Sequence, residues 1–290
     1  MSKGVIILAL GHSNYGNYAI QLCRSIKAVD ESANITLLYN DSAITHFKNN
    51  TSIFDNVIEV PREFYITNGL PDYVKAKTYL YELSPYDETI YIDADVIWLP
   101  QRKISELFNE LSNTDIIISN RGKELLKDSK KGFIHWADPE EIREVYGTKG
   151  NIYNLSSEFI YFKKCNKVEL FFDYAIVAYF NPKIKYKKFA HHLPDELAFI
   201  IAMIQTGIEF ISPFTPFYWE QFEVKSTRKK KPVFQIYKEY YGYSMGGNIN
   251  TTNQEQIYNN IAALSNNKFK VKGYFPAKSK KNWLIERKDL

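Results

Sequence analysis

Tyr91-Ile92-Asp93-Ala94-Asp95-Val96-Ile97-Trp98-Leu99 constrains this chain more than any other stretch. Thr89 to Asp93 reads as a strand buried on both faces, bounded by the turn-like Ser84-Pro85-Tyr86-Asp87. A strand that deep cannot carry two charges without partners, because burying an unpaired carboxylate costs several kcal/mol. The two carboxylates therefore belong at the strand's end, facing a cation or a ligand, where ligands of open α/β sheets bind. Hard oxygen donors this close together suit Mg or Mn, above all a metal already holding a diphosphate. Two Asp residues spaced by two also occur in solvated turns and helix caps. The apolar run ahead of Asp93 is what sets this pair apart.

The rest of the first half alternates strand and helix. Val5 to Leu10 is a buried strand candidate, and Asn17 to Val29 has the helical spacing of Ala19, Ile20, Cys23 and Ile26. Asn34 to Tyr39 is a second strand, with Asn40-Asp41-Ser42 as a helix start. Asn56 to Val60 is a third strand, Pro71 to Leu83 a helix with Pro in its first turn, Ile104 to Leu111 a helix and Asp115 to Ser119 a strand. This alternation predicts an α/β fold: a mostly parallel central sheet with helices on both faces. Residues 120–155 are polar and read as an excursion with a helix at Pro139 to Val145. Glu158 to Phe162 resumes a strand, and Val168 to Phe180 and Asp195 to Gln205 are helices, the second opened by Pro194. No internal repeat is present.

The helix predicted at 71–83 permits a comparison of two lysines. At 3.6 residues per turn, Tyr73, Ala76, Leu80 and Leu83 share one face, with Lys77 at its edge and Lys75 pointing roughly the other way. Helix position favours Lys77 as the lysine held near the sheet, within reach of an anion. The plainer alternative is a snorkelling lysine whose stem packs on Tyr73.

Of the 290 residues, 45% are hydrophobic and 16% aromatic, which excludes a disordered chain. Cys23 and Cys165 are too few for a disulfide framework or zinc cluster and read as reduced core residues. The apolar run Val5 to Leu10 is too short for a secretory signal, and no stretch approaches the ~18 apolar residues of a membrane span. A cytoplasmic protein is expected. Charge is uneven: residues 221–290 hold 14 Lys and Arg against 5 Asp and Glu, and the other 220 residues hold 23 against 28. Two basic stretches, 225–231 and 268–281, point to an anionic partner or surface, or equally to a solvated face of a Lys-rich protein.

The order Lys77…Tyr86…Tyr91-Ile92-Asp93-Ala94-Asp95, followed about a hundred residues on by Asp195-Glu196, resembles the glycogenin-like family of retaining glycosyltransferases with the GT-A fold. The likeness covers roughly residues 4–210. It implies a GT-A-like nucleotide-sugar-binding and catalytic domain over 1–211. Residues 212–290 would be a C-terminal basic, aromatic extension on the acceptor side or acting as a lid. It implies a UDP-sugar donor and Mn2+ or Mg2+ at Asp93 and Asp95, Asp95 being the more direct ligand. Ala9, Leu10, Gly11 and Tyr15 would hold the nucleotide, with Tyr15 stacking on the base and Asp93 and Ala94 beside the donor. Lys77 would contact the donor, Asp195 would sit beside the transferred sugar and Glu196 would support it. Elementary chemistry agrees: breaking a sugar–diphosphate bond develops negative charge that a carboxylate-held metal and a lysine stabilise.

This chain departs from the family's pattern in two motifs. Where the family has Asn-x-Gly it has Leu155-Ser156-Ser157-Glu158-Phe159-Ile160. The family's C-terminal metal-binding His has no counterpart after His192, and the third ligand stays open, with Tyr243-Ser244-Met245-Gly246-Gly247-Asn248 as the stretch in that place. The expected acceptor is a glycan or lipid-linked glycan; the alternative is DNA, modified at its bases as some phage enzymes do, using the basic segment. Two further readings compete. Asp93-Ala94-Asp95-Val96 fits the motif of haloacid-dehalogenase-like phosphatases, although about three strands precede it here. A nucleic-acid-binding module would use the basic stretches with Tyr274, Phe275 and Trp283, but leaves Asp93 and Asp95 unexplained. His191 and His192 read as surface or packed histidines, His12 as a loop histidine with or without a nucleotide contact, and Trp98 and Trp219 as core or rim.

Overall fold

A computed structural model describes residues 1–44, 48–124, 136–150, 152–189, 191–209, 214–219, 236, 238–245, 269–272 and 284–287. In chain order its elements are β1 (Lys3–Ala9), α1 (Ser13–Lys27), β2 (Ile35–Tyr39), α2 (Asp41–Ile44), β3 (Asn56–Glu59), β4 (Ile66–Thr67), β5 (Leu70–Pro71), α3 (Leu80–Leu83), β6 (Glu88–Asp93) and β7 (Val96–Trp98). There follow α4 (Ile104–Glu110), β8 (Ile116–Glu124), α5 (Pro139–Tyr146), β9 (Tyr153–Lys163), α6 (Asn166–Phe180), α7 (Asp195–Thr206), β10 (Phe217–Trp219), β11 (Gly242–Ser244), β12 (Phe269–Lys272) and β13 (Leu284–Arg287). The fold is mixed α/β with a central, mostly parallel sheet. Among the described residues no helix is long and apolar enough to cross a membrane.

The chain divides into two compact units. One comprises Gly4–Glu59, Ile92–Asn113 and the residues from Pro216 on. Its strands run β3-β2-β1 in parallel register, Val5 opposite Ile35 and Leu37 opposite Val57, with β6 next in order. β1 alternates nothing: Val5, Ile6, Ile7, Leu8 and Ala9 are all buried, as a strand covered on both faces requires. α1 buries Ala19, Ile20, Cys23 and Ile26, the face its spacing predicts. The Ser25 hydroxyl on this helix accepts the amide of Trp98 at 3.0 Å, tying α1 to β7. β7 then pairs antiparallel with β11, and β11 pairs parallel with β10.

The other unit comprises Met1–Lys3, Val60–Tyr91 and Thr114–Thr215. Here the order is β6-β9-β8, with β8 and β9 antiparallel (Ile116 opposite Phe162, Ile118 opposite Ile160). α6 and α7 pack through Phe171 and Phe199, whose rings stack at 5.8 Å. Both strands are longer than their apolar cores predict: β8 runs to Glu124, not Ser119, and β9 begins at Tyr153, not Glu158. Asn120, Asn154, Ser156 and Ser157 in the extra length are polar but buried, and Ser119 donates to the Ser156 carbonyl at 2.6 Å across the pair.

One predicted element is corrected. Pro71 to Leu83 is not one helix. Asn68 and Gly69 take positive φ and close a two-residue hairpin between β4 and β5, which places Pro71 in a strand. Asp72 then donates its amide to the Tyr65 carbonyl at 2.7 Å. Lys75–Tyr79 is a 3-10 turn, and only Leu80–Leu83 is α-helical. Ala76, Leu80 and Leu83 are buried as the spacing predicts, but Tyr73 is 36% exposed. Lys75 does not reach solvent: its ammonium donates to the carbonyls of Glu63 and Ile66. The basic stretch 225–231 lies outside the described residues, as does 268–281 apart from β12, which pairs antiparallel with β13.

Gly242 sits in the middle strand of the small sheet, where a Cβ would lie 2.7 Å from the Phe217 ring and 3.0 Å from the Val96 side chain. Gly242→Ala is therefore expected to destabilise the protein by about 1–3 kcal/mol through overpacking. Urea unfolding of the variant checks this; an unchanged midpoint would mean that the sheet opens at no cost.

Candidate active site

In the unit built on β1, the predicted nucleotide residues follow the strand. Ala9 and Leu10 are buried, and the Ala9 carbonyl accepts the Asn40 amide at 3.3 Å. Gly11 takes φ +85, a left-handed turn that suits glycine, and its amide donates to Asn40 Oδ1 at 3.0 Å. His12 is the N-cap of α1, its Nδ1 accepting the amide of Asn14 at 3.1 Å. The loop histidine thus has a capping role. Tyr15, in the first turn of α1, is 43% exposed and meets Tyr18 edge-to-face at 5.9 Å.

β6 is buried from Glu88 to Ile92, and exposure begins at Asp93, as the carboxylate argument requires. Ala94 is buried; Asp95 is half-buried, and its carbonyl accepts the amide of Met245 at 3.0 Å. Tyr18 lies within the electrostatic reach of both Asp95 and Tyr15. Burial, then the charges of Tyr15 and Asp95, push its phenol up to about 12. Tyr18 was not among the predicted residues, although its position three after Tyr15 on a helix marks the same face. Two half-exposed carboxylates suit a hard divalent cation that completes its shell with phosphate and water. Among the described residues no cluster of three or more His, Cys, Asp or Glu residues is placed to hold a metal, and residues 246–248 of the stretch named for the third ligand lie outside the described residues.

In the other unit, the structure brings Lys77 and Asp195 together. Pro194 caps α7, and Asp195 and Glu196 occupy its first turn, at the positive end of the helix dipole. The Lys77 ammonium lies 3.5 Å from Asp195 Oδ2, with 15% and 9% of the two side chains exposed. It donates to Ser157 Oγ at 3.1 Å and lies 5.5 Å from the centroid of the Tyr91 ring. Asp195 Oδ2 is buried and makes no hydrogen bond among the described residues, so the lysine is its electrostatic partner. Glu196 is engaged separately: its Oε2 accepts the Trp136 indole N–H at 2.6 Å, and Trp136 meets Phe189 edge-to-face at 5.7 Å. Ser157 and Trp136 escaped the sequence reading. Ser157 lies in the stretch that replaces Asn-x-Gly, which marked the place but not the partner. Nothing around Trp136 signalled its contact. Trp98 is core, at 1% exposed.

No family model matches the sequence, and no curated protein matches it significantly. Solved structures do resemble its fold. The WbbM bifunctional glycosyltransferase superposes with a TM-score of 0.57 at 16% identity, over 89% of this chain and 51% of that one. The galactosyltransferase LgtC, solved with donor and acceptor sugar analogues, gives 0.53 at 11% identity over 89% of this chain and 95% of its own. The glycosyltransferase GlyE of Streptococcus pneumoniae TIGR4 gives 0.52 at 11% identity, over 92% and 63%. The chain thus spans about half the length of the WbbM structure. At such identities the likeness is one of fold: this is the architecture of GT-A glycosyltransferases.

Lys77→Ala leaves the Asp195 carboxylate buried without its cation, which should cost about 3 kcal/mol or more of stability. The Lys77→Ala/Asp195→Ala double variant should lose less than the sum of the singles, with a coupling of about 1–3 kcal/mol. Urea unfolding of the four-member cycle measures it, and additivity would mean that the two charges do not meet in solution.

Proposed function

We propose that this protein is a metal-dependent glycosyltransferase that moves a sugar from a UDP-sugar to a hydroxyl of a glycan or lipid-linked glycan. The observation that carries the reading is the placement of Asp93 and Asp95 where buried β6 ends, on a GT-A fold. That pair and the fold are independent features, since the first follows from sequence and burial and the second from topology.

Asp93 and Asp95 would hold Mn2+ or Mg2+. When bound, the ion neutralises charge that develops on the leaving diphosphate. The stretch Ala9, Leu10 and Gly11 at the end of β1 would hold the nucleotide, and the exposed ring of Tyr15 would stack on the base. Lys77 supplies a positive charge to the donor. Asp195, held by that lysine and buried, stabilises positive charge on the transferred sugar rather than attacking it. With no carboxylate assigned as a covalent nucleophile, the reading takes a same-face substitution with retention, in which the leaving phosphate accepts the proton of the incoming hydroxyl. Glu196 orients Trp136 and so supports the site indirectly.

The test is a thermal-shift panel of UDP, UDP-glucose, UDP-galactose, UDP-GlcNAc and GDP-mannose, each with Mn2+ or with EDTA. A uridine nucleotide at about 100 times its Kd should stabilise the protein by about 2.7 kcal/mol, only with metal present. Asp95→Asn should keep the ligand-free melting temperature and lose the shift. Absence of a metal-dependent shift with every nucleotide would overturn the reading. So would a full shift and normal turnover in Asp95→Asn.

A further inference from the structure

Asp72 is the most fully buried carboxylate described in the chain, 1% exposed as a residue and with no exposed side-chain surface. Its Oδ1 accepts the Tyr179 hydroxyl at 2.7 Å, and its Oδ2 accepts the Thr67 hydroxyl at 2.9 Å and faces His192 Nδ1 at 3.3 Å. The other imidazole nitrogen, Nε2, lies 3.2 Å from the Pro71 carbonyl. None of these groups belongs to the proposed chemistry. Their places in the chain are what matter: Asp72 lies five residues before Lys77, and His192 three before Asp195.

Both linking segments are stiff. Downstream of Asp72, the Lys75 ammonium is fixed on two carbonyls and the chain runs straight into the 3-10 turn that carries Lys77. Upstream of Asp195, His192 and Phe189 exchange both main-chain hydrogen bonds at 2.8 and 2.9 Å, and Leu193 is buried before the Pro194 cap. We propose that the Asp72–His192 pair is a latch that positions Lys77 against Asp195. This rests on the reading above, in which Lys77 and Asp195 serve sugar transfer.

The proton logic comes from the partners. A carboxylate and a proline carbonyl can only accept, while a neutral imidazole has a single N–H. Only the imidazolium donates to Asp72 and Pro71 together. The charged groups around it are few. From the hairpin segment come Asp72 and Lys75, and Lys75 feels Asp72. From α6 comes Tyr179, whose phenol is driven well above its usual range by burial and then by its bond to Asp72, so it stays a donor; the charge of Asp195 on α7 and Tyr186 add to this.

The experiment uses the intact chain, with hydrolysis of the UDP-sugar selected by the thermal-shift panel as the assay. His192→Gln should show kcat lowered about 10- to 100-fold with KM for the donor little changed, as small misplacements of reacting groups do. Asp72→Asn serves as the second variant if His192→Gln does not fold, and should show the same split between kcat and KM. A wild-type kcat in a folded variant overturns the latch, even where its melting temperature falls, since the pair is then structural only. If wild type hydrolyses no nucleotide sugar, the functional reading fails and the latch falls with it. The ligand-free melting temperatures of the variants then still report whether the pair holds the fold, which keeps the two failures apart.

Discussion

A carboxylate as deeply placed as Asp195 is tolerable only with a cation against it, and delivering Lys77 to that point shapes much of the surrounding chain. A regular helix through 71–83 would present its residues at fixed angles. The chain instead makes a hairpin, a 3-10 turn and one turn of α-helix, and each irregularity is secured by a buried polar group. Lys75 caps carbonyls left over by the irregular segment, and Asp72 gathers donors from three directions. The cost of these buried charges falls on stability and the gain is position, the trade expected where chemistry needs a fixed charge pair.

The unit built on β1 solves a different problem. Its strand is apolar from Val5 to Ala9, and polar contacts are made in the loop beyond it. There the chain turns at Gly11 and is pinned by Asn40, while α1 is started by a histidine cap. Nothing in this arrangement requires a nucleotide to be present before it forms. Such preorganisation lowers the ordering cost of binding.

The sequence was most readable where burial and geometry agree. β6 and its terminal carboxylates follow from an apolar run that stops at Asp93, and α7 from Pro194 with acidic residues behind it. It was least readable where tertiary partners override local pattern. The spacing of Ala76, Leu80 and Leu83 is helical and those residues are buried, yet the Asn68-Gly69 turn and the Lys75 contacts break the helix that the spacing suggests. The outer ends of β8 and β9 were hidden because Asn120, Asn154 and Ser156 look like loop residues, yet all three are buried, and the Ser156 carbonyl accepts the Ser119 hydroxyl across the pair. Lys77 against Asp195 was foreseeable in part, since helix position singled out the lysine. Ser157 beneath it, Trp136 on Glu196 and His192 on Asp72 join residues far apart in sequence with no periodicity to announce them.

The Met245 amide on the Asp95 carbonyl, together with the pairing of β11 on β7, has a bearing on how the chain is made. A ribosome releases Asp93 and Asp95 long before it releases Gly242 to Met245. Until then β7 presents an unpaired edge immediately after the two carboxylates, the kind of edge that invites pairing with another chain. Contacts so distant in sequence also form late, because the intervening loop must close first. The carboxylate pair is thus among the early parts of the chain to be synthesised and among the last to be framed. A chain stalled before residue 242 would carry both aspartates on backbone that has not yet acquired its final partner.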